Sequence, residues 1–229
     1  MTLDLAAVDP TVVCAALSPL LLDERRQRID DAVAHRLGGL RVAIENLHDP
    51  HNGAAVLRSC EAFGVQRVDV VESIEPFVAV AAVTQGCEKW LDVVRHRRID
   101  DYLRVLRDDG FALYAAVPGA AASVDQLDFG RPAALLFGNE HAGLTPEAVA
   151  GADAAIAIPM SGMTRSLNLS VAAAILTQRA AELRRRALGR SGDLDDAAVL
   201  RLRARFYAAD VRGAAHVVQR TLAAKGASD

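Results

Sequence analysis

Six short apolar runs, separated by longer stretches of helical or loop character, constrain the fold of this chain more than any other sequence feature. They are continuous rather than alternating, and from Leu40 onward they read LRVAIE, RVDVVE, WLDVV, FALYAAV, AALLFG and AAIAIP. Such runs are typical of strands buried on both faces, and helices between successive strands permit parallel pairing. The pattern predicts an α/β fold, with a mainly parallel sheet and helices on both of its faces.

Helical periodicity fills the intervals between these runs. The clearest helix runs from Asn168 to Leu188, with apolar residues along one face, and Gly189 is suited to end it. The other predicted helices are Asp23 to Leu37, Gly53 to Phe63, Ile99 to Asp109, Leu194 to Tyr207 and Ala214 to Ala224. We divide the chain into an acidic extension, a basic helix, a sheet domain and a basic helical tail: residues 1–24, 25–38, 39–188 and 189–229. The first segment is expected either to be flexible or to dock.

Composition excludes several classes of protein. The chain has 229 residues, of which 52% are hydrophobic, and no apolar run approaches the ~18 residues of a membrane helix. Asp4 and Asp9 stand where a signal peptide carries basic residues. Three cysteines without a CxxC pair argue against a disulfide framework and a zinc site. We therefore expect a protein of the reducing cytosol.

Charge is distributed unevenly along the chain, although the net charge is only −3. Residues 1–24 carry −4 and residues 25–41 carry +3, whereas residues 42–178 carry −7 and residues 179–229 carry +5. One interpretation is a catalytic body that meets a polyanion through its basic ends, because phosphate contacts come from Lys and Arg. The other is that the Arg-rich helices are only solvated faces.

Three polar loops follow predicted strands, at the edge where open α/β sheets place ligands. They are NLHDPHNG, FGNEHAGLTP and IPMSGMTRSLN, at residues 46–53, 137–146 and 158–168. In the first, Asn52 is predicted to cap the helix that carries Arg58, and an arginine near a helix start can hold a phosphate bidentately. The alternative makes Asn52 only a cap and Arg58 a surface residue.

The second and third loops carry their own candidates. The glycines around Glu140 let the backbone approach a ligand, but the spacing is not that of a dinucleotide fingerprint. Glu140 is a candidate ligand contact, base or partner for nearby amides. In the third loop, Ser166 or Asn168 is predicted to cap the long helix. His48 and His51 have an HxxH spacing, but there is no evident third ligand, so no metal is predicted.

Together the loops resemble the motifs of the SpoU/TrmH family of SPOUT RNA 2′-O-methyltransferases. The segments that carry the resemblance are ENLHDPHNGAAVLRSCEAFGV for the first motif, LLFGNEHAGL for the second and IPMSGMTRSLNLSVAAAIL for the third. The stretch QGCEKWLDVVRHR is similar to one that a tRNA-modifying subgroup carries between the first two. The resemblance covers roughly residues 25 to 185, and the three motifs occur in the family's order.

The resemblance implies a fold and a set of site residues. The fold would include a C-terminal trefoil knot. The implied catalytic residues are Asn52, Arg58, Glu140, Ser166 and Asn168. The implied cofactor is S-adenosylmethionine, held largely by the backbone at Ala115, Ala116, Gly138, Ile158 and Leu167.

The resemblance also implies an activity, which is methylation of a ribose 2′-hydroxyl in tRNA, foremost at guanosine 18 of the D-loop. Another tRNA nucleotide, ribosomal RNA and a catalytically inactive RNA-binding protein stay open as alternatives. Family members work as dimers with the site at the interface, so a homodimer is expected. Two hypotheses stay open for the proton: Arg58 accepts it, or Arg58 clamps the phosphate while phosphate or water accepts it.

The basic ends match the positions of helices that grip tRNA in this subgroup. The implied RNA-binding residues are Arg25, Arg26, Arg28, Arg36, Arg184, Arg185, Arg186, Arg201, Arg203 and Arg205. Such contacts displace counterions, so RNA affinity is expected to fall with salt.

Overall fold

A computed structural model describes residues 3–73 and 86–226. The chain forms two compact units: a sheet unit of residues 37–193, and a terminal unit of residues 1–36 and 194–229. Gln85, the first residue of the segment QGCEKWLDVVRHR, lies outside the described residues. Within the described ranges, no helix has the length and hydropathy that crossing a bilayer requires.

The sheet unit contains the six predicted strands, all paired in parallel. They are β1 Leu37–Glu45, β2 Val65–Val71, β3 Asp92–His96, β4 Ala112–Ala116, β5 Ala133–Phe137 and β6 Ala154–Ile156. Their order across the sheet is β3-β2-β1-β5-β4-β6. The chain leaves β1 toward β2 on one side, whereas β5 lies on the other. The carboxyl ends of β1 and β5 therefore frame a switch point, where open α/β sheets place ligands.

The helices confirm the predicted segments, with shifted ends. They are α1 Pro10–Leu17, α2 Asp23–Ala34, α3 Pro50–Ala62, α4 Ile99–Asp108, α5 Pro146–Ala150, α6 Leu169–Leu188, α7 Asp196–Asp210 and α8 Ala214–Gly226. Short 3-10 turns occupy Leu5–Ala7, Ser18–Leu20, Cys87–Trp90 and Val124–Gln126. The helix predicted to reach Leu37 ends at Ala34, because Leu37 begins β1.

Both faces of the sheet are covered, as the continuous apolar runs predicted. Val42 and Ile44 point to the face covered by α3 and α6, whereas Ala43 between them points to the face covered by α4 and α5. Alternate strand residues face opposite sides of a sheet, so a strand buried on both sides needs apolar residues at every position. Burying each large aliphatic side chain contributes about 1.5–3 kcal/mol.

A buried ion pair ties the two ends of the sheet unit together. The Arg184 Nε donates to Asp193 Oδ2 at 2.5 Å, and the two side chains are only 6% and 2% exposed. Asp193 also accepts from the amides of Gly38 and Gly39, while Arg184 Nη1 donates to two carbonyls of the 129–131 loop. A Cβ at Gly39 would lie 1.9 Å from Arg184 Nη2, so only glycine leaves room for the guanidinium. We call Arg184, Asp193, Gly38 and Gly39 the clasp.

The terminal unit is a helical bundle. α1 packs on α7 and α8, burying Val13 and Leu17, and α2 packs on α7. Asp30 on α2 accepts from Arg203 Nε and from the Tyr207 hydroxyl, both at 2.9 Å. Burial, together with the hydrogen bond to Asp30, raises the pKa of Tyr207 to about 12. The sequence did not predict α1, whose packing favours docking over flexibility for residues 10–17.

Candidate active site

The three polar loops meet at the carboxyl edge of the sheet. The first leaves β1 and enters α3, the second leaves β5, and the third leaves β6 and enters α6. Because β1 and β5 are neighbours, the first two loops start side by side. The site therefore forms where parallel-sheet topology predicts it.

The first loop starts its helix earlier than predicted. Asp49, not Asn52, is the N-cap of α3, and its carboxylate accepts from the His51 amide at 2.9 Å. Pro50 then occupies the first helical position, where its missing N–H costs nothing. The predicted cap at Asn52 is therefore wrong. Arg58 falls in the third turn rather than the second, and its side chain is exposed.

Because Asn52 is not the cap, its side chain is available to link the other two loops. Its Nδ2 donates to Glu140 Oε1 at 2.8 Å, and its Oδ1 accepts from Asn168 Nδ2 at 3.1 Å. Glu140 also accepts from the backbone amides of His48 and Asp49, at 3.2 and 3.4 Å. We call Glu140, Asn52 and Asn168 the site network, since it joins one residue from each motif.

Asn168 also caps α6, which confirms one of the two predicted candidates for that role. Its Oδ1 accepts from the amide of Ser170 at 2.8 Å and from the Ser170 hydroxyl at 2.6 Å. Ser166, the other candidate, is exposed and lines the cavity described below. One asparagine thus fixes the start of a helix with its oxygen and the site network with its nitrogen.

Backbone geometry shapes the second loop. Asn139 and Gly143 exchange backbone hydrogen bonds at 3.0 and 2.9 Å, which folds the loop back on itself. A Cβ at Gly138 would lie 2.3 Å from the Gly143 carbonyl carbon, and Gly143 has a φ of +71°, so both positions require glycine. The Asn139 side chain accepts from the amides of His141 and Ala142.

Two supporting residues were not predicted from the sequence. Asn139 Nδ2 donates to the carbonyl of Asn46 at 2.6 Å, joining the first and second loops. Glu45 is fully buried and accepts from the amide and hydroxyl of Thr145, at 2.9 and 2.7 Å. The sequence does place a carboxylate, Glu45, at the end of a buried strand. Because a buried charge requires partners, that position could have indicated a structural role.

A cavity of about 620 Å³ opens beside the site network. Its lining includes Ala116, Gly138, Ile158 and Leu167 from the predicted cofactor set, and Glu140, Ser166 and Asn168 from the predicted catalytic set. Ala115, the fifth residue of the cofactor set, is completely buried and does not line the cavity. Apolar side chains of Phe137, Ile156 and Leu176 complete the wall.

Two histidines face each other beside Glu140. His48 lies in the first loop and His141 in the second, and their ring centroids are 5.2 Å apart at an interplanar angle of 66°. Both are exposed, and His141 lines the cavity. Across the part of the chain that the structure describes, no group of three or more His, Cys, Asp or Glu is placed to hold a metal ion.

Two of the arginines predicted to bind RNA are buried. Arg36 is 1% exposed, with its guanidinium 5.4 Å from the Phe206 ring centroid, and Arg184 is 5% exposed within the clasp. A guanidinium that is enclosed by protein cannot reach an RNA phosphate. We therefore withdraw Arg36 and Arg184 from the RNA-binding set.

The other predicted RNA-binding arginines differ in their protein partners. Arg25 pairs with Asp210, Arg26 with Asp23, and Arg203 with Asp30. Arg185 is half-buried and donates to the carbonyls of Phe63 and Ser191. The exposed members of the set are Arg28, Arg186, Arg201 and Arg205.

Comparison with known proteins agrees with this architecture. Residues 39–178 match the SpoU rRNA methylase family. The tRNA (guanosine(18)-2′-O)-methyltransferase of Thermus thermophilus is 39% identical over 155 residues, covering 67% of this chain and 80% of the relative. The Escherichia coli K12 enzyme of the same name is 37% identical over 164 residues, covering 71% and 72%.

Solved structures extend the likeness to three dimensions. The Aquifex aeolicus TrmH/SpoU tRNA modifying enzyme superposes with a TM-score of 0.73 at 28% identity, covering 83% of this chain and 98% of that one. The SpoU methyltransferase AviRb from Streptomyces viridochromogenes, solved with AdoMet, gives a TM-score of 0.59 at 27% identity, covering 67% and 64%. With the family match spanning more than half of its residues, this chain belongs to the SpoU methylase family.

Proposed function

We propose that this protein transfers a methyl group from S-adenosylmethionine to the ribose 2′-hydroxyl of guanosine 18 in tRNA. The observation that carries the proposal is the site network, in which Asn52 joins Glu140 and Asn168 beside a 620 Å³ cavity. Two relatives that match this chain over most of their length are tRNA (guanosine(18)-2′-O)-methyltransferases, which supports the choice of substrate.

The cavity suits the proposed cofactor. Ligand cavities commonly measure roughly 300–1,000 Å³, and this one lies within that range. Ala116, Gly138, Ile158 and Leu167 would hold the cofactor through backbone groups and apolar contacts, with Ala115 buried behind them. When bound, S-adenosylmethionine supplies a methyl group activated by its sulfonium. The closely folded 138–143 loop would hold its shape as the ligand enters, because Asn139 and Gly143 exchange backbone hydrogen bonds and the Asn139 side chain bonds the Asn46 carbonyl.

In this proposal Arg58 clamps the phosphate beside the target ribose. Its exposed side chain on α3 has a planar fork that matches phosphate oxygens, and a guanidinium rarely gives up its proton in proteins. The phosphate or a water molecule would then accept the 2′-hydroxyl proton. The site network would hold the three loops in place through the hydrogen bonds of Asn52 to Glu140 and Asn168. The exposed Ser166 hydroxyl would contact a ligand at the cavity wall.

The tRNA would also contact the exposed arginines outside the site. Arg28, Arg201 and Arg205 belong to the terminal unit, and Arg186 lies at the end of α6. Cations on exposed helices attract the phosphate backbone without reading its sequence. Such an RNA substrate is consistent with the cytosolic location expected from the sequence.

We also propose that β5, β6 and α6 take part in the family's trefoil knot. After β6 at the sheet edge, the chain returns as α6 to pack on β1 and β5 in the sheet's centre. This return from the edge of the sheet to its centre supports a threaded path. Such threading is a rare exception to the usual rules of chain topology.

A homodimer formed through α6 is the expected assembly. Val171 and Ile175 are four residues apart on this helix and are 46% and 44% exposed, beside Leu167 at 37%. Their exposure on one face suits a second copy of the chain. We expect V171E/I175E to sediment as a monomer, whereas Q219E, which is exposed on α8 and not on this face, should sediment as the unmodified protein does. A dimeric double variant would place the interface elsewhere.

The function is tested with unmodified tRNA transcript and methyl-labelled S-adenosylmethionine, followed by nuclease digestion and mass spectrometry. Label is expected on the 2′-oxygen of guanosine 18. The matched control is the same transcript with 2′-deoxyguanosine at that position, which lacks the accepting oxygen and should stay unlabelled.

Other outcomes redirect the proposal. Label on another tRNA nucleotide would keep the chemistry and change the target, and label on ribosomal RNA alone would change the substrate class. Failure to bind S-adenosylmethionine in calorimetry, with RNA binding retained, would contradict enzyme function and favour an RNA-binding protein.

A further inference from the structure

His48 and His141 form a pair at the mouth of the site, with no role in the function proposed above. They come from two loops that are far apart in sequence, yet their rings lie edge to face with centroids 5.2 Å apart. His141 lines the cavity, and the His48 amide donates to Glu140 at 3.2 Å. The pair is therefore held against the site network while both rings stay exposed.

An RNA strand entering this site meets an acidic body. Residues 42–178 carry a net charge of −7, and the loops around the pair contribute the carboxylates of Glu140 and Asp49. Both carboxylates already accept hydrogen bonds from the protein, Glu140 from Asn52 and Asp49 from the His51 amide. The RNA phosphates beside the target ribose would still require nearby positive charge on the protein, because phosphates and uncompensated carboxylates repel each other.

Imidazole chemistry suits this position. A neutral imidazole has one N–H donor, whereas the protonated ring has two donors and a positive charge. Protonation of either ring therefore adds an N–H donor and a positive charge beside a phosphate that lies against the pair. Histidine is the side chain whose ordinary pKa lies nearest to neutral pH, which makes pH the variable that tests such a contact.

We propose that His48 and His141 together bind one RNA phosphate close to the target ribose, and that this contact strengthens as the pH falls. The inference rests on the proposed RNA substrate. The other titratable groups in the two loops that carry the pair are Glu140, Asp49 and His51. The variants below assign the pH dependence to the two histidines. His51, on the first turn of α3, stays in place in every variant below.

The experiment measures tRNA affinity without cofactor, by fluorescence anisotropy at several salt concentrations, at pH 5.8 and at pH 7.8. For the unmodified protein we expect the slope of log K against log salt to be steeper by about one at pH 5.8, since one phosphate contact releases about one counterion. At ~0.15 M salt this corresponds to affinity on the order of fivefold tighter at the lower pH.

Three variants separate this pair from other sources of pH dependence. H48Q/H141Q should lose the pH-dependent part of the slope while keeping its affinity at pH 7.8. H48K/H141K should give the tight binding at both pH values, because lysine stays charged. H216Q removes an exposed histidine on α8 and should behave as the unmodified protein does. Circular dichroism at both pH values checks that each variant is folded.

The outcomes distinguish this inference from the proposed function. A pH-dependent slope that survives in H48Q/H141Q would overturn the inference alone. Equal loss of affinity at both pH values would also overturn it and indicate base stacking on the rings. If the unmodified protein binds no tRNA at either pH and transfers no methyl group, the proposed function and this inference fall together.

Discussion

Two hydrogen-bonded networks cross the sheet unit, and they differ in burial and in charge. In the clasp, Arg184 and Asp193 carry opposite charges and are almost entirely enclosed. In the site network, a neutral amide, Asn52, stands between Glu140 and Asn168, and Asn168 is exposed. The clasp joins backbone segments, whereas the site network joins side chains at the rim of a cavity.

The difference shows how each network can fail. A buried ion pair is costly to break, because the remaining partner stays charged in a medium of low dielectric. Removing the Asn52 amide costs less, because it is neutral and water reaches both of the partners that it leaves, Glu140 and Asn168. We therefore expect damage to the clasp to appear in stability and damage to the site network to appear in catalysis.

The largest expected effect is on the clasp. Arg184→Leu should lower the free energy of unfolding by about 3–5 kcal/mol, since it leaves the Asp193 carboxylate buried without its cation. Urea denaturation measures the change. Arg186→Leu is the control, because Arg186 is 65% exposed and pairs with Glu182 one turn away, an arrangement worth about 0.3–0.5 kcal/mol. Equal losses in the two variants would contradict the structural role of the clasp.

The next effect concerns the centre of the site network. Asn52→Ala removes the common partner of Glu140 and Asn168, so kcat/KM for methyl transfer should fall about 100-fold, or about 2.7 kcal/mol. The free energy of unfolding should fall by only about 1–2 kcal/mol. Single-turnover assays and urea denaturation measure the two quantities. Normal turnover in a folded variant would show that the amide link is dispensable.

Two glycines allow the same comparison with one added methyl group. Gly39→Ala should destabilise the protein by about 2 kcal/mol, because its Cβ overlaps Arg184. Gly138→Ala should destabilise the protein by a similar amount and should also weaken S-adenosylmethionine binding about tenfold, since its Cβ overlaps the backbone at Gly143 beside the cavity. Urea denaturation and calorimetry distinguish the two losses. Gly162→Ala, where a Cβ meets nothing within 4 Å, is the control for stability.

The smallest expected effect is that of replacing an arginine by lysine. Arg58 and Arg184 both use the planar guanidinium, Arg58 for the proposed phosphate and Arg184 for Asp193 and backbone carbonyls. Arg58→Lys keeps the charge but loses the fork, so kcat/KM should fall about tenfold, or about 1.4 kcal/mol, with unchanged stability. Arg184→Lys should lower stability and leave the kcat of the folded fraction unchanged. Steady-state kinetics with tRNA tests the first variant. Near-normal turnover would rule out a bidentate clamp by Arg58.

The sheet was predictable from the sequence because its information is local. Each strand is a continuous apolar run, a pattern typical of parallel sheets that are covered on both faces. No helix was predicted for residues 10–17, although Pro10 occupies the first turn of α1 after the Asp9 cap, a position where proline is favourable. The same arrangement, Pro50 after Asp49, explains why Asn52 is not a cap.

The parts that were not predictable depend on distant partners. The charge of Arg184 is evident in the sequence, but its burial depends on a loop more than 50 residues away. Glu45 meets Thr145 across 100 residues, and Asn139 meets Asn46 across 93. Motifs therefore identified Asn52, Glu140 and Asn168 as one group, but not the hydrogen bonds that join them.

The clasp also has a consequence for how the polypeptide can be rearranged. Asp193 bonds the amide of Gly39, so the places where the chain enters and leaves the sheet unit are adjacent, although 154 residues separate them. The sheet unit is therefore inserted between the two parts of the terminal unit. A unit whose two chain ends are adjacent can be joined to different flanking segments without being distorted. The terminal helices could therefore be exchanged for other segments without moving the ends of the sheet unit apart.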